Sequence, residues 1–261
     1  MAMKRVIGCL VVICSCVVGV MWYLKEPNTF TLSVDMPPGF KYRAAVSYVP
    51  APGETCTVEM KDNKRPVFNE WWRENYKPDS EITIRRTRKG CPLVVYNIEL
   101  EIYAVYGKHR SDFSAAPAQV VVKDKLTVEA YREYFEEAGI GTFYGECSWT
   151  FRTSGTTRVL RKLLNCKDVN VKHPSPRGGP IAVYTLDQLP GKTVKMKINL
   201  AEKERPSTGD TWVEVSKGWK KCMGKGFEDP YAFCRGNTQD FSQFMMPDGR
   251  QCTIYPGCTE Q

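Results

Sequence analysis

Apolar and polar positions along this chain alternate with a period of two. The longest case runs through Val94, Tyr96, Ile98, Leu100, Ile102, Ala104 and Tyr106, with Asn97, Glu99 and Glu101 among the intervening positions. Successive side chains of a strand point to opposite faces, so this reads as one long strand with one wet side. Val194, Met196, Ile198 and Leu200 repeat the pattern against Thr193, Lys195, Lys197 and Asn199. Shorter stretches carry it through Phe30, Leu32, Val34 and Met36, and through Tyr42, Ala44, Val46 and Tyr48. Half-wetted alternation of this kind suits antiparallel sheet. The expected fold class is therefore mainly β, with α+β character only in minor part.

Helical periodicity is confined to short stretches. Tyr131, Tyr134, Phe135 and Ala138 share one helical face, with Thr127 as a start and Gly139 as a stop. A second helix is expected over about Thr156 to Leu164, and a third carries Phe68, Trp71, Trp72 and Tyr76 between Pro66 and Pro78. Lys167 to Pro180, with three prolines and two glycines, reads as a linker. Beyond Trp219 the chain is irregular and cysteine-rich, and Pro247-Asp248-Gly249 reads as a turn. These breaks predict an export segment at 1–26 and an antiparallel β-sandwich-like domain at 27–124. A mixed helical and strand segment with its linker follows at 125–180, then a second β-rich, disulfide-stabilised domain at 181–261. An immunoglobulin arrangement does not fit, because Cys56 and Cys91 stand too close in sequence and Lys89 occupies the place of the corner tyrosine.

The N-terminal segment sets the compartment. Val6 to Leu24 is a run of 19 uncharged residues, long enough at helical rise to cross a bilayer core of about 30 Å. Lys4 and Arg5 precede it, which orients the remainder of the chain outward. The run ends Val20-Met21-Trp22-Tyr23-Leu24, without the small residues of a cleavage site and with an aromatic pair where an interface would lie. An uncleaved transmembrane anchor is the expectation, and lipidation at Cys16, in Ile13-Cys14-Ser15-Cys16, is the alternative. The expected location is the bacterial inner membrane, with the bulk of the chain in the periplasm. The absence of an N-x-S/T acceptor agrees with a bacterial rather than a eukaryotic route.

Composition refines this picture. Three of the eleven cysteines lie in the apolar run; the other eight are Cys56, Cys91, Cys147, Cys166, Cys222, Cys234, Cys252 and Cys258. An even number beyond an export segment points to a disulfide framework. Cys56 is in phase with Val58 and Met60, and Cys147 with Trp149 and Phe151, so both sulfurs should face cores. Proximity along the chain pairs 56 with 91, 147 with 166, 222 with 234 and 252 with 258, although the last four have a nested alternative. Beyond residue 26 there is no C-x-x-C, and His109 and His173 stand apart from any cysteine pair, so neither a metal nor another cofactor is expected. Net charge is +8 overall. Lys4, Arg5, Lys25 and Glu26 contribute a net +2 of it, which leaves +6 on the exported part. Such a surface attracts an acidic protein, an anionic glycan or anionic lipid heads, and export argues against nucleic acid.

Signatures of catalysis are scarce. The sequence contains no G-x-S-x-G and no H-E-x-x-H, and Leu189-Pro190-Gly191-Lys192-Thr193 lacks the first glycine of a phosphate-binding loop. Glu99 and Glu101 project from the wet side of a strand, and His109 lies in a charged loop with nothing nearby to complete a triad. The stronger candidates are for binding: Trp71 and Trp72 beside Arg73, and the basic run Arg85, Arg86, Arg88 and Lys89. The expected function is non-catalytic recognition, first of a protein partner in the envelope, as an inhibitor, immunity-type protein or assembly component would do. The alternatives are a binder of cell-wall glycan or lipid heads, and a hydrolase without a recognisable motif.

Overall fold

The computed structural model describes residues 26–57, 67–73, 79–126, 133–169, 178–224, 233–234 and 239–259, with backbone alone at 67–73 and 79. Strands are numbered along the chain. One sheet holds β1 (Thr29–Asp35), β4 (Asp79–Thr83), β8 (Ile140–Ser154), β9 (Val159–Asp168), β11 (Thr193–Leu200), β12 (Arg205–Pro206), β16 (Phe244–Met245) and β17 (Gln251–Cys252). Its order is β17-β16-β9-β8-β11-β1-β4, with β12 also on β8. The second holds β2 (Phe40–Pro50), β3 (Val67–Arg73), β5 (Arg85–Arg88), β6 (Cys91–Val105), β7 (Phe113–Lys123) and β10 (Ile181–Thr185). Its order is β10-β7-β6-β2-β3, with β5 also on β6. A small third sheet is formed by β13 (Trp212–Val215), β14 (Gly218–Cys222) and β15 (Phe241–Ser242).

The alternating positions are the ones that become buried. Phe30, Leu32 and Val34 of β1 and Val194, Met196 and Ile198 of β11 meet Tyr42, Ala44 and Val46 of β2 and Ile98, Leu100 and Ile102 of β6 in one core. At about 25 cal/mol for each Å² of apolar surface removed from water, this shared core is the main stabilising term. The sheets are mixed rather than antiparallel throughout. β1 and β8 both run parallel to β11, and β10 runs parallel to β7. The expected divisions near residues 124 and 180 do not follow the sheets, since β11 and β10 pair with strands that precede both divisions.

Two expected helices are replaced by strands. Thr156 to Leu164 is a turn followed by the start of β9, and Phe68, Trp71 and Trp72 belong to β3. β9 pairs along its whole length with β8, which places Leu160 and Leu164 on its buried side. Of the remaining helix, 127–132 lies outside the described residues and Glu133 to Ala138 is not helical; Phe135 instead stacks on Tyr184 of β10, with ring centroids 4.9 Å apart. The apolar run, with Cys9, Cys14 and Cys16, also lies outside the described residues, among which no helix is long and apolar enough to cross a membrane.

One crossover joins the sheets beside the chain's point of entry. The Ile84 N–H donates to the Asn28 carbonyl (2.8 Å), while the Ile84 carbonyl accepts the Val95 N–H (2.9 Å). The Asn28 side chain then imitates a strand neighbour: its amide donates to the Arg85 carbonyl (2.7 Å) and its oxygen accepts the Arg85 N–H (2.9 Å). β4 thus continues into β5 while passing from one sheet to the other.

Four disulfides, Cys56–Cys91, Cys147–Cys166, Cys222–Cys234 and Cys252–Cys258, tie pairs that are near in sequence. A second core gathers Phe151, Leu160, Trp212, Phe244 and Tyr255 around Cys252–Cys258. Phe151 lies at its centre, 5.0 Å from Trp212 and 4.3 Å from Tyr255 between ring centroids. A polar network closes its edge: Glu204 accepts from the Tyr255 hydroxyl and from the Lys162 ammonium (2.7 Å). Burial and the Glu204 carboxylate both push the Tyr255 phenol upward in pKa.

Lys221 of β14 is the buried cation of this region. Its ammonium donates to the Thr211 carbonyl (3.2 Å) and lies 5.8 Å from the Trp212 ring centre. Burial, with the nearby Arg158 charge adding to it, lowers its pKa from 10.5 to about 8. Between those two values the unfolded chain binds a proton that the folded chain does not, so stability rises with pH across that window and the penalty is complete below it. The melting temperature of the wild type, measured against that of Lys221→Met from pH 7 to 10, should therefore shift in the wild type's favour as pH rises. A difference independent of pH contradicts this assignment.

Candidate binding surface

β6 and β7 are joined by Tyr106 to Asp112, Y-G-K-H-R-S-D, and this loop is fixed by a buried carboxylate. Asp112 is 1 % exposed. Its Oδ2 accepts the His109 backbone N–H (2.9 Å) and its Oδ1 accepts from the Arg161 guanidinium of β9 (3.0 Å). Backbone bonds from Tyr106 N–H to the Asp112 carbonyl and from Asp112 N–H to the His109 carbonyl, both 2.9 Å, close the turn. Gly107 is required here, since a Cβ at that position would sit 2.4 Å from the Asp112 carboxylate. A buried charge persists only when paired and hydrogen-bonded, and here that pairing also bolts the loop of one sheet to a strand of the other. The Ser114 hydroxyl, accepting the Leu164 N–H (2.9 Å), adds a second tie.

The loop so held presents Lys108, His109 and Arg110 to solvent. Beneath it the outer face of the sheet is apolar. Tyr103 stacks on Phe113 at 5.1 Å between centroids, and Val105 and Phe113, cross-strand partners, are 61 % and 42 % exposed. Lys41 of β2 registers with Tyr103. Together these side chains border a hollow of about 260 Å³. On the other side of the loop a cleft of about 390 Å³ runs between His109 and Ser111 and the turn at Met245 to Gly249. In that turn the Asp248 carboxyl is held below its ordinary range by the Arg250 backbone N–H and guanidinium. The arrangement is an aromatic and aliphatic centre with a cationic rim, as interface centres are built.

The residues singled out from the sequence fall in several places. Arg85 to Arg88 form β5 on the first residues of β6, and Lys89 and Gly90, both at positive φ, make the two-residue turn between them. Arg86 lies 5.2 Å from the centre of the Tyr48 ring; burial raises the Tyr48 pKa and the Arg86 charge partly offsets this. Trp71, Trp72 and Arg73 register with Ala44, Arg43 and Tyr42, at the other end of the sheet and beyond β2. Through β2, Trp72 is level with Glu101, whereas Arg88 is level with Cys91. Ten residues of strand separate the two levels, about 33 Å. The tryptophans and the basic run are therefore not one site. Glu99 and Glu101 line a shallow hollow of about 270 Å³ on the open face, with Glu101 3.7 Å from Arg43. His173 and Cys16 lie outside the described residues.

The sequence reading passed over Lys41, Tyr103, Val105, Asp112, Phe113 and Arg161. One signal was legible: the wet phase of β6 runs Asn97, Glu99, Glu101 and then turns apolar at Tyr103 and Val105. Compared with known proteins, the chain matches no family model, no curated relative and no solved structure.

The loop clamp has a measurable signature. Arg161→Met strands the buried Asp112 carboxylate and should cost about 2 to 4 kcal/mol in urea unfolding, the upper part of the range being reduced by the partial exposure of Arg161. Arg161→Met combined with Asp112→Asn should recover part of that loss. Additive single losses would show that the two groups are not coupled.

Proposed function

We propose that this protein is an exported, membrane-anchored binding protein that recognises another protein of the bacterial envelope. The observation that carries the reading is the rigidly held loop at Tyr106 to Asp112, with exposed Val105 and Phe113 beneath it and Lys41, Lys108 and Arg110 around it. Exposed apolar side chains on a strained or mobile element would be a liability; on an element clamped by a buried ion pair they are pre-organised for contact. The cationic rim selects a partner with an acidic surface and speeds encounter with it. An inhibitor or immunity-type protein, or a component of an envelope assembly, fits this description.

Two further observations support export and anchoring. All eight cysteines beyond residue 26 are joined in four disulfides, which persist in an oxidising compartment. The 19-residue uncharged run, preceded by Lys4 and Arg5, has the length and flanks of a membrane anchor with its C-terminal side outward.

Affinity purification of the full chain from crosslinked, solubilised envelopes of the native host tests the proposal. A stoichiometric protein partner is expected with the wild type. Phe113→Ala and Arg110→Glu should each weaken recovery by at least about tenfold, as for a central anchor and a rim charge; Arg110→Glu should leave the melting temperature unchanged, and Phe113→Ala, which loses its stacking on Tyr103, should lower it only modestly. A partner retained by both variants would place recognition elsewhere, and a bait that returns only cell-wall fragments would contradict the protein-binding reading.

A further inference from the structure

We infer that the β5–β6 hairpin, carrying Arg85, Arg86, Arg88 and Lys89, is a second binding surface that docks on anionic lipid heads. The inference rests on the membrane-anchored reading above. Asn28 is hydrogen-bonded to Arg85 on both sides of its amide, so the chain enters the fold at the base of this hairpin. β1 and β4 are antiparallel, with Thr29 opposite Thr83, and β5 continues β4. Traced backward from Thr29, the chain therefore leaves in the direction in which β5 runs toward its tip.

The distances agree with that direction. Four residue steps separate Leu24, the end of the uncharged run, from Asn28, and they span at most about 14 Å. Four steps separate Arg85 from Lys89 at the tip, about 13 Å of strand. Four residues are thus long enough to bring the end of the run level with the hairpin tip, and the headgroup layer adds roughly 5 to 8 Å on each side of the hydrocarbon core. Arg85, Arg88 and Lys89 are exposed there; Glu26 and Glu54 are the acidic residues of the described segments 26–28 and 51–57, while Asp79 and Glu81 of β4 lie on the far side of Arg85 from the tip. Toward the tip the charge balance is positive, and each cation near an anionic leaflet strengthens association about fivefold. The Cys56–Cys91 disulfide, at the foot of the turn, holds this end of the sheet together.

The loop at Lys108 to Arg110 lies at the other end of β6, 15 residues long, about 50 Å from the hairpin turn. Docking by the hairpin turns that loop away from the membrane, toward a partner.

The test uses the full chain in liposomes of phosphatidylcholine alone or with added phosphatidylglycerol, an amine-acylating reagent, and mass spectrometry of each lysine. Lys89 should react several times more slowly on the anionic liposomes, Lys108 at the same rate on both, and high salt should remove the difference. Arg85→Gln with Arg88→Gln, two exposed positions, should weaken docking by up to about thirtyfold and abolish the slowing. A chain that resists alkaline carbonate extraction but shows equal Lys89 rates overturns the inference and leaves the anchor standing. A chain stripped by carbonate overturns the anchor and the inference with it. Slowing at Lys108 in place of Lys89 sets the domain the other way up, and slowing only with a soluble anionic glycan assigns the hairpin to glycan; either result overturns lipid docking.

Discussion

The structure depends on the burial of one face of β6. Ile98, Leu100, Ile102 and Ala104 are at most 2 % exposed, and because side chains alternate, their burial fixes the register of β2 and β7 on either side. A slip of one residue would bring Glu99, Glu101 and Tyr103 into the core. The same register sets Val105 opposite Phe113 and aligns Lys41 with Tyr103, so the candidate surface is a consequence of packing on the opposite face. At its other end β6 receives the basic hairpin, which makes one strand the axis on which both charged surfaces are placed.

Most of the buried faces were legible because they obey a period of two. Tyr42, Ala44, Val46 and Tyr48, read from alternation, are all fully buried. Direction was not legible: β11 alternates like an antiparallel strand yet runs parallel to both neighbours, because a half-wetted strand shows the same pattern in either direction. The short helices failed for a related reason. Val159, Leu160, Leu163 and Leu164 satisfy a helical face over one turn or two, but Cys166 is joined to Cys147 and the whole segment pairs with β8, so tertiary pairing decided the matter. The short disulfides followed sequence proximity because each links neighbouring strands or turns.

The candidate surface was less legible than the core. Its stabilising group, Asp112, is ion-paired to Arg161, 49 positions further on, and no local pattern announces a pair of that separation. The tryptophans are conspicuous for their size, but the register of β3 on β2 sets them far from the basic run. What the loop and the hairpin share is placement: each is a cationic turn at an end of β6, and one is bordered by exposed apolar side chains while the other lies beside the chain's entry. That difference supports different partners, a protein at the loop and a lipid surface at the hairpin.

Photocrosslinking in the living host tests this two-ended arrangement most directly, with a photoreactive residue placed at position 110 in one strain and at position 87 in another. A discrete protein adduct is expected from position 110 and none from position 87. The same protein adduct from position 87, with none from position 110, would contradict it.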